Sequence, residues 1–108
     1  MAEIATRKMF ENDRVVVWEM TLEPGESTGL HTHTNTYFFQ VIEGSTLKTL
    51  GEDGTDYGDL QLAPGDTVYV DVEGDQIRVG DFTGPARHEA VNTGDSRYFE
   101  ILVELKQT

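Results

Sequence analysis

The sequence contains no cysteine, so neither a disulfide nor a thiolate metal ligand is available to this chain. Any metal ion would have to be bound through nitrogen or oxygen. Basic residues are also scarce: 8 stand against 20 acidic ones, and the formal charge of −12 repels nucleic-acid phosphates and anionic lipid surfaces. We therefore expect no nucleic-acid partner and no membrane partner, and we interpret the acidity as a solubilising surface.

Long apolar runs are missing as well. No stretch approaches the ~20 apolar residues of a membrane span, and residues Met1 to Ala5 lack the basic start of a secretory signal. A cytoplasmic protein is the default expectation. At 108 residues the chain predicts one domain, over residues 1–108, that buries roughly two-thirds of its unfolded surface.

What is present is an apolar pattern of period two, which indicates half-buried strands. One such strand alternates an apolar set with a mixed set, the apolar set being Val16, Trp18, Met20 and Leu22. A second lies near the C-terminus, with an apolar face made of Phe99, Ile101, Val103 and Leu105. Its other face is expected to be mostly exposed to solvent and consists of Tyr98, Glu100, Leu102 and Glu104.

Turn signals recur along the whole chain between these short runs. All three prolines adjoin glycine, which predicts turns at Pro24-Gly25, Pro64-Gly65 and Gly84-Pro85. No segment shows the apolar periodicity of an amphipathic helix. Many short strands with little room for crossover helices favour an all-β fold, a single-domain antiparallel sandwich or closed β-barrel with very little helix.

The chain has three histidines, and two of them form a His31-Thr32-His33 pair on a strand-like segment. Side chains two apart on a strand share a face, so both imidazoles can reach one metal ion. The third imidazole is His88. Taken alone, the pair is weak evidence for a metal site. The alternative is that the three histidines are scattered over a barrel that binds no ion.

The context of the pair resembles the first conserved motif of the cupins, G-x5-H-x-H-x3-E-x6-G, with Gly25, His31, His33 and Gly44 at the matching spacings. Further on, His88 and Asn92 resemble the H-x3-N end of the second cupin motif. The resemblance runs from about Val15 to Leu105, which is most of the chain. It implies a jelly-roll β-barrel with His31, His33 and His88 as the metal ligands.

Two features depart from the cupin pattern. Tyr37 stands where the motif has its glutamate ligand. The approach to the last histidine is also altered, since Gly84-Pro85 is shifted and about twenty residues separate Asp66 from His88. We expect an extra hairpin in that interval.

Without the carboxylate, the resemblance implies a neutral three-histidine site for one divalent transition metal per chain, with Fe(II) favoured and Ni, Mn or Zn also accepted. Such cupin sites resemble those of dioxygenase-type oxidoreductases acting on a small anionic molecule. A metal-dependent lyase or isomerase that uses Tyr37 is the alternative enzyme. A non-catalytic cupin that binds a small molecule is the third hypothesis.

The neighbours of the motif leave several roles open. Tyr37 could ligate, donate a hydrogen bond, act as an acid or base, or fill the pocket. Phe39 and Val41 share its face and are expected in the core or along an apolar pocket. Asn92 is either a support of the site or a turn residue. A homodimer is expected, with residues 4–10 as a candidate edge strand.

Overall fold

The computed structural model describes residues 4–106, which form eleven strands and no helix. Consequently, none of these residues belongs to a helix that could cross a membrane. The strands are β1 (Arg7–Glu11), β2 (Val15–Leu22), β3 (His31–Thr32), β4 (Tyr37–Glu43), β5 (Ser45–Gly51), β6 (Asp56–Leu62), β7 (Thr67–Glu73), β8 (Gln76–Val79), β9 (Phe82–Pro85), β10 (Arg87–Asn92) and β11 (Tyr98–Leu105).

The strands form two antiparallel sheets. The larger has seven strands in the order β1-β2-β11-β4-β7-β8-β9, and the smaller has four in the order β3-β10-β5-β6. Strands distant in sequence are neighbours in both sheets, which is the connectivity of a jelly roll. The all-β, antiparallel expectation is confirmed.

Strand β2 supplies one wall of the core, as its alternation predicts. Val16, Trp18, Met20 and Leu22 are each no more than 7% exposed, whereas the residues between them are half-buried. All eight residues of β2 pair in register with β11, from Tyr98 opposite Leu22 to Leu105 opposite Val15. In the larger sheet β11 therefore lies between β2 and β4.

The predicted orientation of β11 is wrong. The face expected to be exposed to solvent points inward. Tyr98 and Glu100 are 0% and 2% exposed, whereas Phe99 and Ile101 are half-buried on the outer side. The reason is the register with β2. Residues directly opposite each other in an antiparallel pair point to the same face, and Glu100 lies opposite the core residue Met20.

Two of the three proline turns form as expected. The amide of Glu26 donates to the carbonyl of Glu23 at 2.9 Å, and the amide of Asp66 donates to Ala63 at 3.0 Å. In each turn the glycine after proline has a positive φ, +87° at Gly25 and +93° at Gly65. Proline followed by a positive-φ glycine is the arrangement of a type II turn.

The third proline prediction is wrong, because Gly84 and Pro85 are the last two residues of strand β9. That strand is the outer edge of the larger sheet, where the missing amide hydrogen of proline can be tolerated. The expected extra hairpin is present. Strands β7, β8 and β9 form a meander, with turns at residues 74–75 and 80–81.

Candidate metal centre

The histidines come together because strands β3 and β10 are adjacent. His31 and His88 are direct partners in this short antiparallel ladder. His33 follows the end of β3, and its amide continues the ladder by donating to the carbonyl of Ala86 at 3.0 Å. The three ring centroids are 4.7 to 5.0 Å apart. Topology thus builds a compact cluster from residues distant in sequence.

Backbone carbonyls fix the orientation of two of these rings. His31 Nδ1 lies 2.9 Å from the carbonyl oxygen of Gly29, and His88 Nδ1 lies 2.8 Å from that of Pro85. A carbonyl oxygen only accepts, so each Nδ1 carries the proton and each Nε2 keeps its lone pair. This is the arrangement in which a metal-binding histidine is held by a hydrogen bond to its other nitrogen.

His33 is held differently. Its Nε2 lies 3.0 Å from Nε2 of His31, and its Nδ1 is the one buried side-chain nitrogen or oxygen in residues 4–106 without a hydrogen-bond partner. The ring is fixed instead by stacking on Tyr37, at a centroid distance of 4.3 Å and an angle of 20°. The contact with His31 and the stacking on Tyr37 therefore orient this ring, which has no backbone partner on Nδ1.

All three rings are neutral at physiological pH. Burial is the main cause: it lowers the pKa of His31 to about 4, lowers that of His33 well below its usual range, and lowers that of His88. The side chains are buried, at 2%, 3% and 6% exposure. A neutral imidazole is the form that binds a metal ion.

The donor set fits a transition metal. One nitrogen from each ring lies within 4.8 Å of the others. Two nitrogens bound at about 2.1 Å to one ion can be at most ~4.2 Å apart, so the 3.0 Å pair already satisfies this limit. Three neutral nitrogens without a carboxylate suit Fe, Ni, Zn or Mn and not Ca or Mg.

Tyr37, at the position of the motif glutamate, is buried against His33 and keeps its proton. Burial raises the pKa of its phenol strongly, and the carboxylates of Glu100 and Glu104 raise it further. Its backbone lies opposite Glu104 on β11. In this environment the phenol stays protonated and stacks on His33, and all four sequence-based roles of Tyr37 stay predictions.

The three imidazoles open into a cavity of about 350 Å³ between the two sheets. Its walls are mostly apolar, with Met20 and Phe39 from the larger sheet and Leu47 and Leu62 from the smaller one. Phe39 therefore lines the pocket, whereas Val41 lies in the core at 1% exposure. A cavity of this size admits a small molecule.

A buried carboxyl group in this cavity was missed by the sequence analysis. Glu100 lines the cavity at 2% exposure, and its Oε1 accepts a hydrogen bond of 2.5 Å from the hydroxyl of Tyr98. Burial raises the pKa of Glu100 to about 8, although the Tyr98 hydrogen bond lowers it. Its alternation with Tyr98 and Leu102 was visible in the sequence, but only the pairing with β2 shows that this face is the inner one.

Asn92 is the last residue of β10, and its side chain hydrogen-bonds to the turn that follows and to neighbouring strands. Its amide nitrogen donates to the carbonyls of Leu22 and Ser96, and its oxygen accepts from Ser45 and from the amide of Gly94. At 1% exposure it ties the β10–β11 turn to the end of β2 and the start of β5. Of the two sequence interpretations of Asn92, the turn role is the one these bonds describe.

A family comparison agrees with this architecture. The model of the cupin domain family matches residues 18–103, which include all three histidines and Glu100. The chain belongs to the cupin domain family. Within this cupin, the matched segment covers both sheets from β2 to β11.

Solved structures similar to this cupin carry several names. A cupin domain from Bordetella pertussis Tohama I is 23% identical with a TM-score of 0.69, over 94% of this chain and 91% of that one. The polyketide cyclase RemF from Streptomyces resistomycificus is 19% identical with a TM-score of 0.61, over 94% and 63%. The DMSP lyase DddQ from Ruegeria pomeroyi DSS-3 is 16% identical with a TM-score of 0.56, over 89% and 40%. Identities this low show the shared fold alone. No curated protein matches the chain.

Proposed function

We propose that this cupin is a mononuclear metal enzyme in which His31, His33 and His88 bind one divalent transition metal ion. The observation that carries the proposal is the convergence of three buried, neutral imidazoles on one cavity. An ion bound there would supply Lewis acidity and open coordination positions. Because no ligand carries negative charge, we expect the substrate to be a small anionic molecule.

The surrounding residues prepare the site for such a molecule. The carbonyls of Gly29 and Pro85 hold two of the rings with Nε2 free, and the apolar walls limit the water that competes for a bound anion. Tyr37 stacks on His33 and so restrains the ring that has no hydrogen bond on Nδ1. Its protonated phenol is available to donate a hydrogen bond to the reacting molecule or, in the second reaction class below, a proton.

The first reaction class is a dioxygenase-type oxidoreductase, with Fe(II) as the favoured metal and Ni, Mn or Zn as the others. Protein reconstituted anaerobically with iron would be mixed with thiols, diketones and organic acids while dissolved oxygen is recorded. Oxygen uptake that depends on both the substrate and the iron is the expected result. No uptake across the panel would contradict this reaction class.

The second reaction class is a metal-dependent lyase or isomerase, in which protein groups move protons and no oxygen is consumed. Two observations favour it: a phenol and a buried carboxyl group, Tyr37 and Glu100, both line the cavity. Similar structures are named a polyketide cyclase and a DMSP lyase. Turnover with zinc, nickel or manganese under argon would support this class, and loss of turnover in Tyr37→Phe with normal metal content would assign Tyr37 to it.

Binding without catalysis is the remaining outcome. Ligand affinity that is unchanged in a His31→Ala/His88→Ala double variant would show that the cavity works without a metal. A cytoplasmic location and a small-molecule partner stay predictions.

We also propose a homodimer. Strand β1 ends the larger sheet, all five of its residues are exposed, and Met9 and Phe10 are 45% and 53% exposed. Such an edge is suited to pairing with a second copy. Light scattering should give about twice the 12.1 kDa chain mass, and a monomer would contradict the proposal.

A further inference from the structure

The cavity has a polar group away from the histidine cluster. Along β11, Glu100 lies opposite Met20 and Val41, whereas Glu104, four residues later, lies opposite Tyr37, the residue that stacks on His33. Four residues of strand correspond to roughly 13 Å of backbone. Glu100 lines the same cavity as the histidines without belonging to their cluster, and its charge acts on Tyr37, which stacks on His33.

The Glu100 carboxyl has few polar neighbours. One oxygen, Oε1, accepts the hydrogen bond from Tyr98, and this is the hydrogen bond that the structure gives to the side chain. Its partners across the ladders are Met20 and Val41, neither of which can donate a side-chain hydrogen bond. A buried carboxyl group in apolar surroundings is more stable in its neutral form, which carries an O–H donor.

We infer that Glu100 is a ligand-binding group: its neutral carboxyl donates a hydrogen bond to an acceptor oxygen at the far end of the molecule whose near end binds the metal. The inference rests on the proposed metal centre and names the substrate class more closely. The ligand is a molecule with a chelating oxygen group at one end and a carboxylate or carbonyl at the other.

The pH dependence of this group follows from its surroundings. Tyr98 and Glu104 belong to the same strand, Tyr37 lies on β4, and the inner residues of β2 carry no ionisable group. On the side of the smaller sheet, the ionisable residues that line the cavity are His31, His33 and His88 and, from β6, Tyr57 and Asp59. Burial raises the pKa of Glu100 to about 8. Below that pH the group donates to an anion, and above it the carboxylate repels the anion.

The test uses pairs of alkyl hydroxamates of equal length, roughly four to six carbons, that end either in a methyl group or in a carboxylate. Cobalt(II)-loaded protein would be titrated by calorimetry at about pH 6 and about pH 9.5. The hydroxamate is common to both members of a pair, so its own ionisation cancels in the comparison. We expect the carboxylate-ended probe to bind about tenfold more tightly than the methyl-ended probe at the lower pH, and no more tightly than it at the higher pH.

Two variants make the result specific to Glu100. Glu100→Gln keeps a donor but cannot ionise, so its preference for the carboxylate should persist at both pH values. Glu100→Leu has no donor, so the carboxylate-ended probe should bind no more tightly than the methyl-ended probe at either pH. Its circular dichroism spectrum would be checked against that of the unsubstituted protein. Equal affinity for the two probes at the lower pH, or a preference retained in Glu100→Leu, would overturn the inference.

The experiment also distinguishes a failure of the proposed metal centre from a failure of the role inferred for Glu100. Absence of cobalt absorption bands before any hydroxamate is added would contradict the centre and not the role of Glu100. The same probe pairs would then be added to metal-free protein labelled with carbon-13 at glutamate carboxyls, with the Glu100 resonance identified by its loss in Glu100→Gln. The carboxylate-ended probe should shift that resonance and the methyl-ended probe should not; no shift with either would overturn the inference.

Discussion

His31 and His88 are direct partners across the β3–β10 ladder, although more than half of the chain separates them in sequence. Each donates from Nδ1 to a backbone carbonyl, that of Gly29 or Pro85, so each directs Nε2 toward the same cavity. The backbone thus orients both rings before any ion binds, and a preorganised pair loses less conformational freedom on binding.

Removal of either histidine of this pair should abolish metal binding. We expect about one equivalent of transition metal per chain in untagged protein and almost none in His31→Ala or His88→Ala, because two remaining nitrogens bind an ion much more weakly. Elemental analysis after gel filtration measures the content. Glu89→Gln, at the next position of β10 and on its other face, is the matched control and should keep the metal.

Metal should also stabilise the fold. An ion present at about 100 times its dissociation constant adds about 2.7 kcal/mol to the free energy of unfolding, which for a domain of this size raises Tm by roughly 10 °C or more. Differential scanning calorimetry with nickel or cobalt, then with a chelator, measures the change at fixed pH. An equal rise in His31→Ala would mean that the ion binds elsewhere.

Asn92 should contribute to stability and not to metal binding. Asn92→Ala removes four hydrogen bonds, and it leaves the carbonyls of Leu22 and Ser96 without their side-chain donor. A cost of about 2–4 kcal/mol in the free energy of unfolding is expected, measured by urea denaturation. Metal content per folded chain should stay near one equivalent. Loss of metal at full folding would instead assign Asn92 a supporting role at the site.

The sequence predicted what depends on local pattern. The alternation from Val16 to Leu22 gave the inner face of β2 correctly, and each proline-glycine pair in the order Pro-Gly formed its turn. The spacing of His31 and His33 placed two imidazoles together without knowledge of the fold. The approach of His88 came from the family resemblance, since only the pairing of β3 with β10 brings it to the others.

What the sequence concealed depends on pairing between strands. Both faces of β11 carry apolar residues, so a count of apolar residues selects the wrong face as the inner one. Only the register with β2 shows that Glu100 faces the cavity. The same limit explains Gly84-Pro85, where a turn-like dipeptide is accommodated in an edge strand. The sequence therefore did not predict that Glu100 lines the cavity, although it did predict the histidine cluster.

The buried carboxyl of Glu100 gives the stability of this cupin a pH dependence that one variant can isolate. The pKa of Glu100 is raised from 4.5 to about 8 by burial. The folded state therefore binds more protons than the unfolded state between these two values, and the free energy of unfolding contributed by Glu100 falls as the pH rises through that window. At about 1.4 kcal/mol per pKa unit, the loss has an upper limit of about 5 kcal/mol.

Glu100→Gln carries no ionisable group at this position and should escape the loss. Its stability relative to the unsubstituted protein should increase from about pH 4.5 to about pH 8 and then level off, as measured by urea denaturation at each pH. Subtraction removes the contribution of the three histidines, which both proteins share. Glu23→Gln, at an exposed turn, is the control and should show no such trend. A difference between Glu100→Gln and the unsubstituted protein that stays constant over this pH range would mean that folding does not raise the pKa of Glu100, and it would contradict the prediction.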